Sequence, residues 1–266
     1  MKVYFVKKSQ NIQLLFRSTN PPTVSTDMFS LRIFRYLSDY PPAEYEKYAR
    51  DRSGRLPSPL QPLGSSPSSE DDGAKEGEKE KTRYWAAFHS IFKDTLVRDE
   101  EVEVLGRKYA EMFTRRMEAR FPSTPGIREG ESEEWTTGVH IFTTLLKEDM
   151  FNAATATLFG SGLLEYEPRV SSLFWDFDRI VARLVWGLPR WLNADAYRRR
   201  DRLHGALGRY LERSVRDFDW DGHQEKEVGW EPVLGSRLAR VYVRWMKEDG
   251  FATRTMAGSL VSLMFG

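Results

Sequence analysis

The chain has 266 residues, 40% of them hydrophobic, with 40 Lys+Arg against 39 Asp+Glu and no cysteine. That length and apolar content suffice for a large packed interior, and a formal charge of +1 gives no whole-chain attraction to nucleic acid or an anionic membrane. Without cysteine there can be no disulfide, thiolate metal site, iron–sulfur cluster or cysteine nucleophile.

The opening residues Met1 to Val6 run into Lys7-Lys8 with no apolar region of signal-peptide length, and no stretch approaches the ~20 apolar residues that cross a bilayer. The expectation is a soluble or peripheral chain. Val3, Tyr4, Phe5 and Val6 predict a short strand, residues 11–16 a helical turn, and residues 29–40 a short helix ended by Pro41-Pro42. Residues 1–53 thus read as an amino-terminal strand with short helices. Residues 54–83 carry Pro57, Pro59, Pro62 and Pro67, serine pairs and a charged run, with no hydrophobic periodicity. Such a segment has nothing to bury against its backbone entropy, so it predicts a disordered insertion.

From residue 84 to residue 266 the pattern is helical. Trp85, Phe88, Phe92 and Leu96 share one face of a helix over about 82–97, and Val102, Leu105, Tyr109, Met112, Phe113 and Met117 mark the next, with Asp99, Glu100 and Glu101 in its first turn. Phe142 to Leu158 predict a third, stopped at Gly160. Residues 173–186 predict a dense aromatic helix, closed by the loop Gly187-Leu188-Pro189-Arg190-Trp191-Leu192. Asn193 or Asp195 caps a following helix with the stripe Leu203, Leu207, Tyr210, Leu211 and Val215. Pro232 is expected to start another helix, with Leu234, Leu238, Val241 and Trp245 inward and Gly250 as its stop, and Thr255 a last one. The predicted class is mostly α with a minor β element.

Four chemical signals stand out. Asp217-Phe218-Asp219-Trp220-Asp221-Gly222 has the carboxylate spacing of a calcium loop, but its twelfth position is Val228 rather than a bidentate Glu, which favours a plain acidic loop. Arg198, Arg199, Arg200, Arg202, Arg209, Arg213 and Arg216 could meet phosphate or anionic lipid; Asp201 and Glu212 among them favour a solvated face, and no nucleic-acid partner is expected. His89, His140, His204 and His223 form no i, i+4 pair, so no histidine metal site is expected. Trp186, Leu188, Trp191 and Leu192 around Pro189 suit a membrane-interface or substrate-entrance loop as well as a core plug.

The run Phe151-Asn152-Ala153-Ala154-Thr155-Ala156-Thr157-Leu158-Phe159-Gly160 resembles the helix E motif of cytochromes P-450. Leu173 to Asp178 with Gly187-Leu188-Pro189 resemble helix F and its exit loop, and Gly235-Ser236-Arg237 and residues 250–266 resemble helix H and the start of helix I. The order is that of the family, nearest to its fungal oxysterol-7-hydroxylase-like and prostacyclin-synthase-like branch. The resemblance implies a truncated haem-thiolate monooxygenase domain, an apolar substrate such as a lipid or sterol, a reductase partner and an endoplasmic-reticulum membrane setting, although no anchor is visible. It also implies a haem-propionate role for Trp85, His89 and Lys93, at i, i+4 and i+8 of the matching helix C; the same residues suit a core Trp beside a solvated Lys. The thiolate that ligates haem iron has no counterpart, so the expectation is a chain inactive alone. A non-catalytic helical protein that binds a ligand or partner is the alternative.

Overall fold

The structure is a computed structural model that describes residues 27–51, 84–97, 99–120, 141–220 and 229–265. The expected strand at residues 3–6, the helical turn at 11–16, the insertion at 54–83 and most of the calcium-like loop lie outside these. The helices are α1 (Asp27–Tyr36), α2 (Pro42–Arg50), α3 (Tyr84–Leu96) and α4 (Asp99–Arg120). A π-helical segment, Ile141–Met150, then runs into α5 (Phe151–Phe159), followed by α6 (Ser161–Tyr166), α7 (Val170–Asp178), α8 (Val181–Val185) and α9 (Ala194–Asp217). A small hairpin of β1 (Trp230–Glu231) and β2 (Gly235–Ser236) precedes α10 (Arg237–Glu248) and α11 (Thr253–Met264). The mostly α class with a minor β element is what the structure shows.

Three boundaries differ from expectation. Pro42 does not merely end the first helix; it starts α2, where its fixed φ and missing N–H cost nothing. The aromatic helix expected over 173–186 breaks at Arg179 and Ile180, and the break drops the Ile180 side chain into the core. Pro232 opens a hairpin turn instead of a helix. The Glu231 carboxylate accepts the Val233 N–H at 2.8 Å and also that of Leu234, tying the turn down. Ser236 then caps α10, its hydroxyl accepting the Ala239 N–H at 3.2 Å and donating to the Leu158 carbonyl at 2.8 Å.

That hairpin meets the end of α5 backbone to backbone. A Cβ on Gly160, at φ +87°, would stand 2.3 Å from the Pro232 carbonyl oxygen, and one on Gly235, at φ +73°, would stand 2.2 Å from the Gly160 nitrogen. The glycine that closes the helix E motif is therefore fixed by both its left-handed backbone and its contact. Tyr210 of α9 reaches the same junction, its hydroxyl within bonding distance of the Phe159 and Val233 carbonyls, at 2.5 and 2.9 Å. α11 lies under α9, its buried face carrying Met256, Ala257, Leu260 and Val261. Gly258 lets α11 touch the turn after α1, since a Cβ there would come within 2.0 Å of the Ser38 carbonyl oxygen.

Candidate functional site

Trp85, at the start of α3, is 2% exposed. Its backbone N–H donates to the Asp51 carboxylate at 2.6 Å, which also places negative charge at the amino end of α3. Its indole N–H donates to the Tyr48 carbonyl at 2.9 Å. Phe34, Tyr48 and Phe88 surround the ring, with centroids 5.8, 5.2 and 6.4 Å away. His89, one turn on, lies near-parallel to the indole at 6.0 Å, and both His89 and Lys93 are exposed. The three share a side of α3, but only His89 and Lys93 offer polar atoms to a ligand there, because the indole N–H is already engaged.

Beneath Trp85, the Tyr40 hydroxyl meets Ser259 Oγ at 2.6 Å. Burial raises the phenols of Tyr40 and Tyr48 well above their ordinary value, and it pushes Tyr242 up to about 12, so these hydroxyls stay neutral. Ring contacts fasten α1, α2, α3 and α10 to one another, and the Tyr40–Ser259 hydrogen bond ties in α11.

The loop after α8 has a different character. Trp186 is 70% exposed, Trp191 81% and Leu192 57%, while Leu188 is half-buried. Its backbone is nevertheless held firmly. Arg32 of α1 donates from Nε to the Val185 carbonyl and from Nη2 to that of Trp186 at 2.8 Å; the Tyr197 hydroxyl donates to the Leu188 carbonyl at 2.9 Å. The N–H groups of Leu192 and Asn193 donate to the Pro189 carbonyl at 3.0 and 3.1 Å. A fixed backbone thus displays apolar side chains to the outside. α1 packs against both this loop, through Arg32, and Trp85, through Phe34.

The arginine-rich face of α9 is not wholly solvated, which corrects the expectation. Arg200 is 1% exposed. It donates to the Tyr36 carbonyl at 3.0 Å and pairs with Asp39 and Asp201, each at 2.9 Å, with its guanidinium 4.9 Å from the Tyr197 ring. His204, one turn on, is 5% exposed and faces the backbone of Leu37, and neither ring nitrogen makes a hydrogen bond of good geometry among the described residues. Burial first, then repulsion from Arg200, lowers its pKa to about 3. Positions 200, 203, 204, 207 and 211 share one helical face, so the leucine stripe itself signals that Arg200 and His204 point inward.

Among the described residues no group of three His, Cys, Asp or Glu side chains could hold a metal ion, and no described helix is long and apolar enough to cross a membrane.

Comparison with known proteins then decides the family. The chain is 30% identical over 267 residues to the cytochrome P-450 monooxygenase calL of Penicillium decumbens, a match that covers 100% of this chain and 44% of the relative. The chain belongs to the cytochrome P-450 family. It is also 32% identical over 112 residues to the monooxygenase fsoE of Humicola fuscoatra, covering 42% of this chain and 19% of that one. With efuG of Hormonema carpetanum it shares 27% over 140 residues, 52% of this chain and 24% of that one. The chain therefore spans under half the length of the curated relatives it matches. No family model and no solved structure matches it.

Membership in the cytochrome P-450 family implies haem as cofactor. The residues present do not fit a haem-thiolate centre: no cysteine occurs in the 266 residues, and the Trp85 indole N–H is bonded to Tyr48. What this cytochrome P-450 chain does hold is the Leu158-Phe159-Gly160 junction, the display loop and α11 packed beneath α9.

Proposed function

We propose that this chain is the amino-terminal to middle part of a haem-dependent monooxygenase acting on an apolar small molecule such as a lipid or sterol. The observation that carries this is the match along the whole chain to a fungal cytochrome P-450 monooxygenase. The axial thiolate has to come from a cysteine outside these residues, and the 266 residues alone do not oxidise substrate. A reductase is the electron donor of the complete enzyme. We assign the haem-propionate contact to His89 and Lys93 of α3, which are exposed on the side of the helix where Trp85 is the buried ring. The loop bearing Trp186, Leu188, Trp191 and Leu192 serves as the apolar entrance or as a peripheral contact with a membrane, since amphipathic Trp rings favour that interface.

The test is a reduced carbon-monoxide difference spectrum. The chain mixed with hemin gives no red-shifted Soret band of thiolate ligation; the chain joined to the remaining carboxy-terminal part of the Penicillium relative does. A thiolate band from the chain alone sinks the first statement. Failure of the joined protein to bind haem while it folds cooperatively sinks the second.

A further inference from the structure

Two cavities open along the outer side of α9, and both are lined by Asp201, Gly205 and Arg209. The first, of about 370 Å³, includes Glu167, Arg169 and Arg202; the second, of about 340 Å³, includes His204, Gly208 and Arg254. Packing does not require glycine at either position. A Cβ on Gly205 would meet only the Arg209 guanidinium, at 3.7 Å, and one on Gly208 would meet nothing within 4 Å. Glycine inside a helix destabilises it relative to alanine. What the two glycines create is a bare strip of backbone along the groove floor.

Charge in the first cavity is unevenly satisfied. Glu167 is paired with Arg209 at 2.7 Å, and Asp201 with Arg190 at 2.5 Å and Arg200 at 2.9 Å. Arg169 and Arg202, both exposed on the rim, have no side-chain partner among the described residues. Open cavities lined by this much charge suit a small ionic ligand rather than an apolar substrate.

We propose that this groove binds a small oxyanion, a carboxylate or phosphate group, between the Arg169 and Arg202 guanidiniums and over the bare backbone at Gly205. Guanidinium forks match both kinds of oxyanion with two parallel hydrogen bonds. The site is independent of the monooxygenase reading, because it uses neither the display loop nor α3.

The experiment titrates the full chain, labelled at arginine, with inorganic phosphate, with citrate, and with phosphatidylcholine vesicles that contain or lack phosphatidic acid. The Nε–H resonances of Arg169 and Arg202 shift and saturate. Arg169→Gln with Arg202→Gln weakens binding by about tenfold or more, whereas Arg202→Lys, which keeps the charge and loses the fork, weakens it less. Gly205→Leu, which fills the floor and leaves the charges, also weakens it. Arg213→Gln with Arg216→Gln, on the same helix outside the groove, changes it by less than about twofold. Saturation by phosphate or citrate assigns a free anion, and saturation only by vesicles with phosphatidic acid assigns a lipid headgroup; either supports the proposal. Non-saturating shifts shared with Arg213 and Arg216, or equal binding by the Arg169/Arg202 double variant, overturn it.

Discussion

The ring cluster around Trp85 and the seam around Arg200 are buried to the same degree, yet they resist perturbation differently. Trp85, Tyr48 and Phe34 are held by ring contacts, with hydroxyls that stay protonated because burial raises them. Arg200 is held by two carboxylates and a carbonyl, whereas His204 beside it makes no hydrogen bond of good geometry among the described residues. Removing part of the first leaves a void. Removing part of the second leaves a charge or a dipole without its partner. Both are expensive, and the second cost varies with the protonation of His204.

The largest effect is expected from the cluster. Trp85→Ala deletes the ring that Phe34, Tyr48 and Phe88 enclose and also strands the Tyr48 carbonyl, so about 3–5 kcal/mol should be lost in denaturant unfolding. Trp85→Phe keeps most of the volume and loses the hydrogen bond, and should cost about 1–3 kcal/mol. A cost for Trp85→Ala no greater than for Trp85→Phe would mean the ring is not enclosed as described.

Arg200→Ala comes next, at roughly 3 kcal/mol, the lower end for a broken buried pair because Asp39 and Asp201 can still reach water. The combined variant Arg200→Ala with Asp39→Asn should be less destabilised than the sum of the two single changes, since the second removes a charge the first left unpaired. Strict additivity would show that the pair does not act as a unit.

Proton dependence separates the regions more sharply. The folded pKa of His204, about 3, lies below its ordinary 6.5, so the folded state binds fewer protons than the unfolded state between those values. The associated stability is complete above pH 6.5 and falls as pH drops toward 3, by up to about 1.4 kcal/mol per pH unit. His204→Leu should flatten that slope in urea midpoints measured across the window, while Trp85→Phe leaves it unchanged. An unchanged slope in His204→Leu would place the acid sensitivity elsewhere.

The cluster was legible in the sequence because Trp85, Phe88 and Phe92 repeat at helical spacing. The seam was less so. Counting arginines along residues 198–216 suggested a solvated face, although Arg200 and His204 occupy the register of Leu203, Leu207 and Leu211. Register, not charge density, was the signal to follow. The Gly160–Gly235 contact could not be read at all beyond the motif, because it joins two backbones 75 positions apart. Pro232 misled for a related reason: Pro suits a turn and a helix start equally, and only Ser236, whose hydroxyl accepts from Ala239, marks where α10 begins.

The smallest stability effect is expected where exposure is greatest. Trp186 and Trp191 project from a loop whose carbonyls are bonded by Arg32 and Tyr197, so replacing both by Ser removes little buried surface and should change unfolding free energy by no more than about 0.5 kcal/mol. Their cost lies in water: two large rings held open to solvent forgo a hydrophobic gain that a lipid interface or an apolar ligand would supply. The double Ser variant should therefore lose partitioning onto neutral phosphatidylcholine vesicles, or apolar-ligand quenching of tryptophan fluorescence, while its melting stays that of the parent. Arg32→Gln supplies the complementary case. It leaves both rings in place but removes the bonds to Val185 and Trp186, so binding should weaken through a loosened loop without loss of apolar surface. If Arg32→Gln binds as the parent does, side-chain exposure alone accounts for the loop's affinity. If the double Ser variant instead unfolds early, the rings belong to the core and the loop is a plug.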